Sequence, residues 1–226
     1  MQLKILLVVA TSAEADALKN IPEIRQFPDS FLYGRHEIRL LISGVGSIST
    51  AWAMTKWLSA NPKPDLAINA GIAGSYREDI IKGEVVIPVS DCFADAGIED
   101  GNDFITLAEA GLQSPDKFPF TGGNIIANNK YITKAVSHLK PVKAITVNTA
   151  TGSAVTIEKL IKKFNPDIET MEGATFFYIC TGERIPFLAI RAISNKVEPR
   201  DRSKWDIPLA ISNLSEKLKE IILTLD

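Results

Sequence analysis

The sequence predicts an α/β protein, one domain over residues 1–226 built on a central mixed, largely parallel sheet flanked by helices on both faces. Three observations carry this expectation. Apolar runs of strand length alternate with amphipathic stretches of helical period along most of the chain. Several of the runs are continuous enough to be buried on both sides, as parallel strands under helices are. With 226 residues, 46% of them hydrophobic and 23% charged, the chain can bury a large core without staples.

The first strand spans Leu3–Ala10. Its apolar part, Ile5–Ala10, is too short for the core of a signal peptide and reads as a buried strand. Further strands are expected at Ile38–Ser43, Leu66–Ala70, Glu84–Pro88, Ala144–Asn148 and Phe187–Ile193. Between them Ser47–Ala60, Asn129–Leu139, Val155–Phe164 and Gly173–Cys180 have the spacing of helices. The last helix is the clearest. Asp206 is placed as its N-cap and Pro208 in its first turn, and Ile207, Ile211, Leu214, Leu218, Ile221 and Leu225 follow at three- and four-residue steps. Residues 94–123, with several glycines, prolines and acids, break the pattern and read as a long irregular excursion.

Composition excludes several function classes. Lys and Arg number 25 against 27 Asp and Glu, so no excess positive charge exists to grip nucleic acid or an anionic membrane. No apolar run is long enough to span a bilayer. Cys92 and Cys180 are the only cysteines and lie in apolar or mixed runs, which points to a reducing cytoplasm and not to a disulfide framework. His36 and His138 have no metal-ligand neighbour at helical spacing, so no metal site is expected. Neither a G-x-S-x-G elbow nor a P-loop occurs.

Five local motifs carry the chemistry, each with a plainer structural reading. Gly44-Val45-Gly46 lies between a strand and a helix, as a dinucleotide-binding turn would. Ser49 replaces the third glycine of that fingerprint, and Asp65 precedes a strand instead of ending one; a tight turn is the alternative. Asn69-Ala70-Gly71-Ile72-Ala73-Gly74-Ser75 ends a strand with small residues, either to bring backbone amides near a ligand or to make a turn with positive φ. Glu14 follows the first strand in Thr11-Ser12-Ala13-Glu14, which is also a capping box. Thr170-Met171-Glu172-Gly173 sets a carboxylate where a strand meets a helix, among compact and apolar neighbours; an acid favoured by the helix dipole is the plain account. Arg191, in the apolar run Arg191-Ala192-Ile193-Ser194-Asn195, must be paired, with Glu14 and Glu172 as candidate partners. Beyond it, Arg200-Asp201-Arg202 and Trp205 form a polar cluster or a solvated loop.

The ordered set of Glu14, Ser43-Gly44-Val45-Gly46, Asn69–Gly74, Met171-Glu172-Gly173-Ala174 and Arg191–Asn195 resembles the nucleoside phosphorylase/nucleosidase superfamily over almost the whole chain. It is most similar to the purine nucleosidase branch, and within it to the futalosine-hydrolysing members, which share a segment like Pro199-Arg200-Asp201-Arg202-Ser203 with Trp205. The resemblance implies a nucleoside phosphorylase-like fold and a cytoplasmic homo-oligomer. It implies a small-molecule nucleoside as substrate, with no nucleic acid, membrane or cofactor involved. It implies Glu14 as the base that activates water, Arg191 as the group that fixes Glu14 and the water, and Glu172 as the acceptor of the ribose hydroxyls. Met171 would pack on the sugar and Gly71, Ala73 and Gly74 would supply backbone, with Thr151, Gly152 and Asp201 near the base.

Three departures refine the expectation. Adenine-cleaving relatives protonate the purine with an Asp where this chain has Asn195. An amide donates to a 6-oxo group through its NH₂ and accepts from a protonated N7, which matches hypoxanthine better than adenine. The leaving purine would then take its proton from water or from Asp201. Val147–Gly152 lacks the aromatic residue that those relatives stack on the base, leaving Phe93 or Trp205 to replace it, and Ile72 stands where they have a hydroxyl. The expected reaction is hydrolysis of futalosine to hypoxanthine and dehypoxanthine futalosine. The alternatives are a 6-aminopurine nucleosidase, a phosphorylase or a nucleoside-binding module. Arg39, Arg77 and Arg200 are the candidates to meet a carboxylate on the 5′ side.

Overall fold

Leu3, Ile5, Leu7 and Val9 point to one side of a sheet, Leu6 and Val8 to the other, and all six are buried. A strand whose two faces are both apolar needs a helical layer on each side. The computed structural model describes residues 2–19, 25–26, 30–101, 103–127 and 135–225. In chain order the elements are β1 (Lys4–Val9), α1 (Ser12–Lys19), β2 (Arg25–Gln26), β3 (Phe31–Tyr33), β4 (His36–Ile42), α2 (Ser47–Ala60), β5 (Leu66–Ser75), β6 (Val85–Asp91), β7 (Gly97–Asp100), β8 (Asp103–Thr106), β9 (Ile125–Ile126), β10 (Lys140–Thr146), α3 (Ala154–Phe164), β11 (Ile168–Thr170), α4 (Gly173–Gly182), β12 (Phe187–Lys196) and α5 (Ile207–Thr224).

The main sheet has the order β11-β10-β6-β12-β5-β1-β4-β3-β2. Its central pairings β4–β1, β1–β5, β5–β12, β6–β10 and β10–β11 are parallel, while β12–β6 and the β2–β3–β4 edge are antiparallel. Helix α5 covers one face, its Leu214, Leu218 and Ile221 packing with Ile5, Leu7 and Ile190. On the other face Met54 of α2 and Phe176 and Phe177 of α4 pack with Leu6, Val8 and Phe187. The α/β architecture with helices on both faces is therefore as the sequence predicts. Helix α5 begins where expected, since the Asp206 side chain accepts from the Leu209 amide and Pro208 occupies the first turn.

The structure corrects several details. Strand β5 runs to Ser75, so the small-residue stretch at 71–74 is strand and not a terminal loop. Its last residues pair antiparallel with β11, so that β5, β12, β6, β10 and β11 form a closed ring within the sheet. The excursion at 94–123 contains the β7–β8 hairpin, a two-stranded sheet of its own. Of the helix expected at Asn129–Leu139, 129–134 lie outside the described residues and 135–139 form bends and turns.

Candidate active site

Glu14 is placed by both of its readings at once. The capping box forms, with the Thr11 amide donating to Glu14 Oε2 at 2.9 Å and the Glu14 amide to Thr11 Oγ1 at 3.3 Å. The Ala10 amide at 3.1 Å and the Thr11 hydroxyl at 2.9 Å also reach Oε2, and the Ile72 amide reaches Oε1 at 3.3 Å. The cap thereby locks a buried carboxylate in one orientation at the carboxyl end of β1.

Gly71 and Gly74 are in extended strand without positive φ, which removes the turn alternative; they are needed for close approach. An ideal Cβ on Gly71 would lie 2.9 Å from Glu14 Oε1 and 4.0 Å from Arg191 Cζ. One on Gly74 would lie 2.8 Å from Val197 Cγ2 and 3.2 Å from Asn195 Nδ2. Glycine at 71 thus lets the Glu14 carboxylate and the Arg191 guanidinium converge.

Arg191, 1% exposed in β12, is not bonded to Glu14 or Glu172 as the sequence suggested. Its Nη1 donates to the carbonyls of Asn69 at 2.8 Å and Ile190 at 3.0 Å, and its Nη2 donates to the Asn69 side chain. A strand guanidinium can turn back on its own sheet once Asn69 offers both oxygens, leaving the carboxylates to act through their field. Burial lowers the Arg191 pKa, and the charges of Glu172, Asp91 and Glu14 oppose that shift.

The Gly44–Gly46 turn proves to serve a carboxylate. Both glycines have positive φ, 82° and 89°, and the Gly46 amide donates to Glu172 Oε1 at 2.9 Å. Burial raises the Glu172 pKa; that amide and Arg191 pull it down, and Glu14 adds to the rise. Behind Glu172 lies a network that the sequence reading missed. The Thr146 hydroxyl donates to Asp91 Oδ1 at 3.0 Å and accepts the Ala174 amide at 2.7 Å, and the Thr170 hydroxyl accepts the Gly173 amide at 3.2 Å. These contacts satisfy the first amides of α4 and so fix Glu172, its N-cap residue. Burial pushes the Asp91 carboxyl up to about 7.

Asn195 sits at the other end of the site, 8% exposed. Its Oδ1 accepts from the Ser194 hydroxyl at 2.7 Å and its Nδ2 donates to the Lys196 carbonyl at 2.9 Å. Close by is Glu169, also missed. It accepts the Thr151 amide at 2.9 Å, the Tyr76 hydroxyl at 2.7 Å and the Thr151 hydroxyl.

A cavity of about 360 Å³ brings together Glu14, Ile72, Ala73, Gly74, Thr151, Met171, Glu172, Asn195 and Trp205, with Val45, Ile207 and Ile211 as apolar wall. Gly71 is not among its lining residues and lies against Glu14 and Arg191. Arg191 does not line it either, and several other sequence expectations fall outside. Gly152 packs on the Arg200 side chain and lines a neighbouring cavity of about 690 Å³. Asp201 is exposed and accepts from the Ser203 amide and hydroxyl, capping a short 3-10 turn, so it is not on the cavity wall. Phe93 packs near Tyr178, 6.4 Å between ring centres, leaving Trp205 as the aromatic residue of the pair that lines the cavity. Arg39 bonds Asn61 and Glu37, and Arg77 bonds Asp79 and Asp167, while Arg200 stacks 5.3 Å over Trp205.

The family model described as the phosphorylase superfamily matches residues 4–225. A futalosine hydrolase of Acidothermus cellulolyticus is 30% identical, over 95% of this chain and 88% of that protein. The 5′-methylthioadenosine/S-adenosylhomocysteine nucleosidase of Buchnera aphidicola is 28% identical, over 91% and 86%. The solved S-adenosylhomocysteine nucleosidase of Streptococcus pyogenes superposes with a TM-score of 0.80 at 18% identity, covering 100% of this chain and 98% of that one. With a match that runs from the first strand to the end of the last helix, the chain belongs to the phosphorylase superfamily.

Proposed function

We propose that this protein is a purine nucleosidase that hydrolyses futalosine to hypoxanthine and dehypoxanthine futalosine. The observation that carries the reading is the convergence of Glu14 and Glu172 on one cavity whose other end holds Asn195 in place of a carboxylate. Water attacks C1′ as the C1′–N9 bond breaks, and its electron pair leaves with the purine. Glu14, held by donors from Ala10, Thr11 and Ile72, takes the proton from the water. Glu172 accepts from the ribose hydroxyls and stabilises the cationic sugar, with Met171 against its face. Arg191 holds the Asn69 backbone and side chain and acts on Glu14 through its charge. Asn195 holds the 6-oxo edge, and N7 receives its proton from water, since Asp201 lies off the cavity. The reaction needs no metal or organic cofactor. The domain assignment to the full 226 residues and a cytoplasmic homo-oligomer belong to the same proposal; the exposed Ile48 and Trp52 on one face of α2 support the oligomer.

The Buchnera relative favours a second reading, a 6-aminopurine nucleosidase. Futalosine, aminofutalosine, methylthioadenosine and inosine offered in parallel separate the two. Hypoxanthine from futalosine supports the first, and adenine from the amino substrates alone supports the second.

A further inference from the structure

Glu169 is a cavity carboxylate for which the hydrolytic roles above leave no task. It lies on β11 directly opposite Gly74 of β5, and Asn195 of β12 lies opposite the same Gly74 from the other side. Residues opposed on neighbouring strands project to one face, and strands are spaced by about 4.8 Å. Glu169 and Asn195 therefore flank a residue without a side chain, across a gap of about 10 Å at the backbone. All three line the same cavity, so the row forms a slot with a carboxylate at one wall and an amide at the other.

Among the described residues the hydrogen-bond partners of Glu169 all donate to it: the Thr151 amide, the Thr151 hydroxyl and the Tyr76 hydroxyl. Burial and the adjacent Glu169 raise the Tyr76 pKa, so the phenol stays a donor. A carboxylate's two oxygens offer about four acceptor positions, and with two donors on Oε2 and one on Oε1 the unfilled position is on Oε1. Asn195 has likewise used one N–H and one lone pair on the protein.

A 6-oxopurine presents an acceptor, O6, beside a donor, N1–H. A 6-aminopurine presents the reverse, an amino donor beside an N1 lone pair. A wall that only accepts suits the first and repels the second. We infer that Glu169 is a specificity-determining residue that accepts the N1–H of a 6-oxopurine ring held against Asn195. This rests on the nucleosidase reading above and adds the group that reads the far edge of the base.

The test compares kcat/KM for futalosine and aminofutalosine in the unaltered protein and in Glu169→Met, which keeps the length of the side chain and removes the acceptor from the slot. Glutamine would not, because the Thr151 amide can only donate and so holds an amide oxygen at the Oε1 place. Futalosine cleavage is expected to fall about 10- to 100-fold while aminofutalosine cleavage holds or rises, so the ratio collapses. A role confined to holding Thr151 and Tyr76 lowers both substrates in proportion, and an unmoved ratio overturns the inference while leaving the function standing. Preference of the unaltered protein for aminofutalosine overturns both. Should Glu169→Met not fold, futalosine methylated at N1 reads the same contact in the unaltered protein. Cleavage at least 10-fold below futalosine is expected, and equal cleavage overturns the inference.

Discussion

Glu14 fills the place where a side chain on Gly71 would begin, its Oε1 lying 2.9 Å from the ideal Cβ position. Gly71→Ala therefore pushes the carboxylate off its donors. Because the displaced atom is the end of a side chain, the fold tolerates the change, while a base misplaced by about 1 Å costs on the order of 100-fold in rate. Steady-state kinetics together with thermal unfolding checks this. A Gly71→Ala protein with unchanged kcat would show that Glu14 has no positional task.

Glu14→Gln separates the two functions of this side chain. Glutamine also closes a capping box, so Tm should hardly move, whereas loss of the base should lower kcat by about 100- to 10,000-fold. Near-normal turnover in the folded variant contradicts the mechanism.

Much of this was legible in the sequence. The capping box, the cap of α5 and the alternating apolar faces of β1 are local patterns, and local patterns survive folding. What escaped depends on neighbours distant in the chain. Gly71 and Gly74 look like strand breakers until Glu14 and Asn195 arrive across the sheet. Strand β11 has three residues, too few to reveal a period, so ring closure and Glu169 stayed hidden beside the more conspicuous Met171-Glu172. Arg191 was rightly read as paired, but its partners are backbone carbonyls and an amide that no residue pattern displays. Asp201 looked like a ligand group because capping of a 3-10 turn leaves the same signature in sequence.

Asn195→Asp should shift preference toward a 6-aminopurine, since a protonated carboxyl donates to N7 and then accepts from the amino group. The check is the ratio of kcat/KM for aminofutalosine over futalosine, which is expected to rise. An unchanged ratio would remove the amide from base recognition.

Asp91 predicts a pH dependence of stability. Its carboxyl titrates at about 7 in the fold and at about 3.9 in the unfolded chain. Between those values the folded protein holds a proton that the unfolded chain releases, so this group's contribution is present below about pH 4 and is lost as pH rises toward 7. Asp91→Asn keeps an acceptor for the Thr146 hydroxyl and removes the titration. The fall in Tm between about pH 5 and pH 8 should shrink in the variant; equal falls in both proteins would contradict the assignment.

The central claim is that water, activated by Glu14, attacks the sugar of a 6-oxopurine nucleoside. The most direct measurement is release of hypoxanthine from futalosine in phosphate-free buffer made with ¹⁸O water. The account predicts hypoxanthine without added phosphate and one ¹⁸O at C1′ of the sugar product. Release that waits for phosphate, with a sugar phosphate as product, would contradict it.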